Sequence, residues 1–259
     1  MKIPFYQIDA FTDRMFGGNP AGICPLEDWL PDETMQAIAA ENNLSETAFF
    51  VENGDHYDLR WFTPTHEVEL CGHATLATAH LLINELKITD RAVHFETRSG
   101  RLSVRPVGDR LEMNFPAQPP EPWPPSEALD EAMGAKPQEV LGHVNCIAVY
   151  ESESRVRALA PDMAKLVGLS YEGVIATAPG DAVDFVSRYF APKFGIPEDS
   201  VTGSAHCELT PYWAKRLGKE SLEARQISCR GGELSCRLQG ERVLLWGRAV
   251  KYLEGVIEL

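Results

Sequence analysis

Arg60-Trp-Phe-Thr-Pro-Thr-His-Glu-Val-Glu-Leu-Cys71-Gly72-His73-Ala-Thr-Leu-Ala-Thr-Ala-His80 reads as a strand, a turn and a helix that opens on Gly-His. About half the chain later comes Arg188-Tyr-Phe-Ala-Pro192, followed by Glu198-Asp-Ser-Val-Thr-Gly203-Ser204-Ala-His-Cys207. Arg-aromatic-Phe-x-Pro recurs, and Gly-His-Ala is answered by Gly-Ser-Ala. The pattern predicts two related halves, each presenting a helix N-terminus. From Gly72 to Ile83 the run is apolar nearly all round. A helix that is apolar on every face is buried on every face, so it should be a central helix wrapped by strands.

Working outward, Ile3 to Phe11 has strand composition, with Phe5, Gln7 and Asp9 on one face and Tyr6 and Ile8 on the other. Gly17-Gly-Asn-Pro-Ala-Gly22 is a dense turn signal that brings backbone close to something. Asp32 to Glu41 reads as a helix that starts at Pro31 and an acidic first turn and ends at Asn42-Asn43. Asn43-Leu-Ser-Glu46-Thr-Ala-Phe-Phe-Val51 begins polar and becomes a strand, with Glu46 at the transition. Tyr57 to Phe62, Val93 to Thr97, Leu102 to Val104 and Leu111 to Phe115 are further strands. Pro116 to Ser126 holds six prolines and reads as an interdomain linker.

Beyond it the plan repeats. Asn145 to Tyr150 and Val156 to Leu159 are expected strands, and Pro161 to Gly168 a short helix with proline at its first position. Leu169-Ser-Tyr-Glu172 echoes Leu44-Ser-Glu46, and Asp184 to Phe190 is the counterpart of Tyr57 to Phe62. Ser204 to Ala214 is the second central helix, kinked at Pro211. Gln226 to Cys229, Glu233 to Leu238 and Arg242 to Trp246 complete the strands. The domain reading is residues 1–115 with a returning strand over 247–259, a linker over 116–126, and a second domain over 127–246.

Composition narrows the function classes. The chain is 44% hydrophobic, and no apolar run approaches the ~20 residues of a membrane span. Met1-Lys-Ile-Pro runs straight into an alternating segment without a signal-peptide pattern, so a cytoplasmic protein is expected. A net charge of −14 argues against nucleic acid or anionic membrane as partner. Six cysteines without any C-x-x-C read as reduced, buried thiols. Neither Cys71 with His73 nor His206 with Cys207 has the spacing of a zinc motif, so no metal is expected. No G-x-G-x-x-G or P-loop is present, and no nucleotide cofactor is indicated.

A helix beginning at Gly-His or Gly-Ser leaves its first N–H groups unpaired and the positive end of its dipole exposed. Two such termini meeting across an interdomain cleft would bind a carboxylate or oxyanion. Ser204 fits a cap as well as a ligand contact, His73 a satisfied buried histidine as well as a ligand contact, and Glu46 an exposed carboxylate at a strand edge. Together Glu46, Asp199 and His73 form an inventory able to move protons at carbon beside a carbonyl or enamine, provided the base is desolvated. A nucleophilic hydrolase is less well supported, because there is no G-x-S-x-G elbow.

Gly18-Asn-Pro-Ala, Asn43-Leu-Ser-Glu46-Thr-Ala-Phe, Arg60-Trp-Phe-Thr-Pro, Glu67-Val-Glu-Leu-Cys-Gly-His73-Ala-Thr and Asp199-Ser-Val-Thr-Gly-Ser204-Ala-His together resemble the PhzF-like (phenazine biosynthesis-like) isomerases. The resemblance implies an α+β, diaminopimelate epimerase-like fold. Its two pseudo-symmetric domains would each be a curled sheet or barrel around a central helix. It implies Glu46, His73 and Asp199 as catalytic residues and Gly72, Gly203 and Ser204 as substrate-binding residues. It also implies a cofactor-free biosynthetic isomerase acting on a small carboxylic acid, and a homodimer. A dihydro-hydroxyanthranilate is one candidate substrate. The epimerases of this fold use a cysteine before each of the two glycines; here the second place is Thr202, which disfavours a two-thiol racemase. An amino- or hydroxy-acid racemase and a non-catalytic carboxylate-binding protein are the alternatives.

Overall fold

The computed structural model describes residues 1–89 and 91–259. Two compact units divide the chain: Met1–Asn114 with Trp246–Leu259, and Phe115–Leu245.

The first unit runs β1 (Lys2–Ala10), β2 (Asn19–Leu26), α1 (Asp32–Asn42), β3 (Glu46–Asn53), β4 (His56–Phe62), β5 (Glu67–Val68), α2 (Gly72–His80), β6 (Val93–Thr97), β7 (Gly100–Val107) and β8 (Arg110–Pro116). The second runs β9 (Glu121–Pro122), α3 (Glu127–Met133), β10 (Glu139–Gly142), β11 (Cys146–Val149), α4 (Glu153–Ala158), α5 (Met163–Val167), β12 (Val174–Pro179), β13 (Phe185–Ala191), β14 (Ile196–Asp199), α6 (Gly203–Leu217), β15 (Ser221–Gln226), β16 (Gly232–Gln239) and β17 (Arg242–Gly247). The chain then returns to the first unit as β18 (Ala249–Glu258), antiparallel to β1.

The pairings of the two units repeat in order. In the first, β1–β2 is antiparallel, β2–β3 parallel, β3–β4 antiparallel, β4–β6 parallel and β6–β7 antiparallel. In the second, β10–β11, β11–β12, β12–β13, β13–β15 and β15–β16 follow the same sequence of senses. Both units also repeat an arginine clamp. Arg60 donates from Nε and Nη2 to the two oxygens of Glu67, each at 2.8 Å, and Arg188 does the same to Glu198, again at 2.8 Å. Each guanidinium lies over the phenylalanine two residues on, Phe62 or Phe190. The bidentate fork fixes the excursion that leads into each central helix.

Every residue of α2 from His73 to His80 is buried, and the helix packs on β1, β2, β3, β7 and β18. Alanine and threonine keep it thin enough for strands to surround it. The buried Thr75 and Thr78 hydroxyls donate to the carbonyls of Cys71 (2.6 Å) and Ala74 (2.8 Å), so no hydroxyl is stranded. The expected helix to Ile83 is α-helical only to His80; Leu81–Glu85 is a π turn, closed by Leu86 N–H donating to Leu81 O. In α6, Pro211 cannot donate to the carbonyl four residues back, at Cys207. Gln118 N–H donates to that carbonyl instead (3.0 Å).

That bond helps to seat the proline-rich stretch read as a linker. Residues 118–125 lie within the second unit, where Glu121–Pro122 pairs with Leu141–Gly142 and Trp123 N–H donates to Val140 O. Gly142 makes room: a Cβ there would stand 2.2 Å from the Trp123 ring.

Four sequence expectations need correcting. Residues 19–22, expected in a turn, begin β2. Pro20 fits because β3 joins β2 only from Ala21, so no ladder bond on that side needs its missing N–H. Val156–Leu159, expected as a strand, belongs mostly to α4, where the Ser152 hydroxyl accepts from Arg155 N–H and Glu153 pairs with Arg157 one turn on. Pro161 precedes α5 rather than opening it, because Asp162 is the cap and accepts from Ala164 and Lys165 N–H. The strand sought at Gln226–Cys229 lies at Ser221–Gln226 and ends where the other was expected to start.

Candidate functional site

In the first unit, α1 ends at Asn43 in a left-handed conformation (φ 48°), which turns the chain so that Glu46 is the first residue of β3. Cys71 is the N-cap of α2, and Gly72 and His73 are its first two residues; no side chain caps the helix. Glu46 Oε2 lies 3.1 Å from His73 Nε2, and 15% of the Glu46 side chain stays exposed. Oε2 itself is buried, so the exposed part of Glu46 lies elsewhere on the side chain. The pair is close enough for charge attraction but not aligned for a good hydrogen bond. On the other side of the ring, Nδ1 lies 3.5 Å from Cys71 Sγ and 3.2 Å from Asn19 Nδ2.

Burial opposes a charge on His73, while the Glu46 carboxylate, and Cys71 once it is a thiolate, favour one. The balance holds its pKa above the ordinary histidine value. Burial, with Glu46 adding to it, pushes the Cys71 thiol up to about 11, so at neutral pH the sulfur is a thiol. That thiol is a poor nucleophile. Glu46, Cys71 and His73 each place a ligand atom within 4.8 Å of the others, as a metal site would require. Cys71 Sγ lies against His73 Nδ1 and Glu46 Oε2 against Nε2. A carboxylate against a buried imidazole can also pass a proton.

In the second unit, Thr202 is the N-cap of α6, and Gly203 and Ser204 are its first two residues, again without a side-chain cap. Plain capping therefore does not explain Ser204. The Thr202 hydroxyl donates to buried Asp199 Oδ2 (2.5 Å) rather than to the helix. Gln226 Oε1 accepts from Thr202 N–H (2.8 Å), while its Nε2 donates to Asp199 O (2.9 Å) and Thr202 Oγ1 (3.1 Å). His206 donates from Nδ1 to Thr202 O (2.8 Å), and burial lowers its pKa to about 4, so this imidazole is neutral. One half thus groups Glu46, Gly72 and His73, the other Asp199, Gly203 and Ser204. The sequence reading missed Asn19, Thr202 and Gln226. For Asn19 there was a signal: a polar residue between a turn glycine and a proline, at the mouth of a strand.

The echo between Glu46 and Glu172 does not survive the hydrogen-bond register. Thr47 pairs with Phe62 on β3 and β4, and Val174 pairs with Phe190 on β12 and β13. Since Phe62 and Phe190 are the matched clamp phenylalanines, the residue standing where Glu46 stands is Gly173. A Cβ at Gly173 would meet the Tyr189 hydroxyl at 2.4 Å, so this place has no room for a carboxylate.

The phenazine biosynthesis-like protein family matches residues 8–255. A Pseudomonas aeruginosa protein named as an uncharacterized isomerase is 52% identical over 259 residues, covering 100% of both chains. The crystal structure of a phenazine biosynthesis PhzF-family protein from Enterococcus faecalis superposes with a TM-score of 0.97 at 46% identity, covering 100% of both chains. A hydroxyproline epimerase from Agrobacterium vitis superposes with a TM-score of 0.64 at 10% identity, over 99% of this chain and 92% of its own, which shows a shared epimerase-like fold. With its duplicated α+β units and the family motifs spanning both, the chain belongs to the PhzC-PhzF phenazine biosynthesis-like family.

Proposed function

We propose that the protein is a cofactor-independent isomerase that moves a proton between carbons of a small carboxylic acid, with Glu46 as the general acid/base. The observation that carries this reading is the pair formed by Glu46, partly exposed at the start of β3, and buried His73 at the start of α2. A carboxylate with one face open and a histidine behind it can take up a carbon-bound proton and return it elsewhere on the same molecule. The substrate is a small carboxylic acid. The N–H groups at Gly72 and Gly203 hold its carboxylate, and His73, Asp199 and Ser204 hold its other polar groups. A dihydro-hydroxyanthranilate-type acid is one substrate that fits. The enzyme works in the cytoplasm as a homodimer.

Isomerase names among close relatives support the reaction class. A thiol-based racemase is disfavoured by Thr202 in the second cysteine place and by the high pKa of Cys71. The test is a solvent-deuterium exchange screen over small carboxylic acids. Exchange into a carbon position that disappears in Glu46→Gln supports the reading. Exchange that persists in that variant removes Glu46 from the role, and tight carboxylate binding without exchange points to a binding protein.

A further inference from the structure

Two observations around His73 bear on which ring nitrogen carries the proton. The first is the polarity of the ring's surroundings. Nδ1 faces Asn19 Nδ2 (3.2 Å), an amide donor, and the Cys71 sulfur (3.5 Å), held as an S–H. Nε2 faces a carboxylate, an acceptor. A neutral imidazole has one donor and one acceptor nitrogen, and here donors converge on one and an acceptor on the other.

The second is the way the chain delivers Asn19. Gly18 has φ +64°, and a Cβ there would stand 2.1 Å from Ala10 O, so only glycine lets the loop pass this close to β1. Asn19 then pairs opposite Ala10 at the first position of β2. Pro20 restricts it to extended backbone. Asn19 is fully buried. The segment therefore presents one rigid amide to the back of His73.

We propose that Asn19 is a positioning residue that sets the tautomer of His73. In the neutral ring the Asn19 amide N–H holds Nδ1 unprotonated, so the one proton sits on Nε2, facing Glu46. Exchange of that amide for an acceptor favours a proton on Nδ1 and keeps the ring charged to higher pH. The proposal rests on the reading of Glu46 and His73 as the proton-transfer pair, and its test needs no substrate, so the two can fail separately.

The test is long-range nitrogen–proton correlation NMR on the full chain with nitrogen-15-labelled histidine, His73 being assigned by the signals lost in His73→Gln. In the wild type, above the titration of the ring, Nδ1 should have a pyridine-type shift and Nε2 a pyrrole-type shift. Asn19→Asp keeps the shape but replaces the donor with an acceptor. It should keep His73 doubly protonated to a pH higher by ~1–3 units, the span expected for a new carboxylate beside an imidazole. A pyrrole-type Nδ1 in the wild type would overturn the proposal, as would an unchanged His73 titration in Asn19→Asp. The wild-type spectrum decides alone if that variant does not fold. A wild-type ring with the expected tautomer but no deuterium exchange in any acid would sink the isomerase reading and leave the tautomer assignment standing.

Discussion

At the start of α2 the glycine is preceded by Cys71 and followed by His73; at the start of α6 the same places hold Thr202 and Ser204. Both helices lack a side-chain cap, and both are approached through an arginine clamp of the same geometry. The first terminus is surrounded by groups that can change charge: Glu46, His73 and Cys71. The second is surrounded by a hydroxyl, a primary amide and a neutral imidazole, with Asp199 bound into their hydrogen bonds. The repeat presents two helix N-termini, and among the described residues it is the first that has a carboxylate against a histidine. The register shows the same asymmetry, with Glu46 in one half and Gly173 in the other.

The largest stability effects should separate the two clamps. Arg188 donates from Nη1 to the carbonyls of Val156 and Leu159 in addition to Glu198, whereas Arg60 adds a contact to exposed Asp32 and lies over the Trp29 ring. Arg188→Lys is expected to cost about 3 kcal/mol in denaturant unfolding and Arg60→Lys about 1 kcal/mol. Equal costs would show that the carbonyl contacts contribute nothing.

A second contrast concerns acid. The His206 pKa is about 4 in the folded state, against ~6.5 in an unfolded chain, so between these values the unfolded state binds more protons. Its contribution is therefore complete above about pH 6.5 and is lost as the pH falls toward 4. The loss is up to about 3 kcal/mol at ~1.4 kcal/mol per unit. His206→Asn keeps a donor for Thr202 O but does not titrate, and its stability should be flatter across that window. Parallel pH–stability curves for variant and wild type would contradict this.

Smaller effects probe the missing carboxylate and the thiol. Gly173→Ala forces a Cβ against Tyr189, whose hydroxyl donates to Asn145 Oδ1 (3.0 Å), and should cost about 1–3 kcal/mol. A cost near zero would mean that the tyrosine yields freely. Cys71→Ser should leave proton exchange within about threefold of wild type, because a thiol with a pKa of about 11 is not the base. A loss of ~100-fold or more would revive thiol chemistry.

Much of the fold is legible in the sequence. The all-apolar run after Gly72 required a wrapped helix, and the two Gly-started helices required the repeat. Position alone reads Glu46 as an exposed carboxylate at a strand edge, and a role as acid/base is implied by the resemblance to the PhzF-like isomerases. What escaped the sequence depends on hydrogen-bond register or on distant partners. Glu172 resembles Glu46 in residue type and in its Leu-Ser context, whereas the ladder between β12 and β13 selects Gly173. Val156–Leu159 is apolar at both ends and short enough to suit either a strand or a helix, and Ser152 with the Glu153–Arg157 pair decides for helix. Gln226 and Asn19 matter only through residues 24 and 54 positions away along the chain.

The central claim is that proton transfer belongs to the α2 end alone, through Glu46. Deuterium uptake from solvent into a bound carboxylic acid, followed at saturating concentration in wild type and Glu46→Gln, tests it most directly. Wild type should exchange one carbon position, and the variant should be slower by about 10²–10⁴-fold while still binding the acid. Exchange at wild-type rates in Glu46→Gln would contradict the claim.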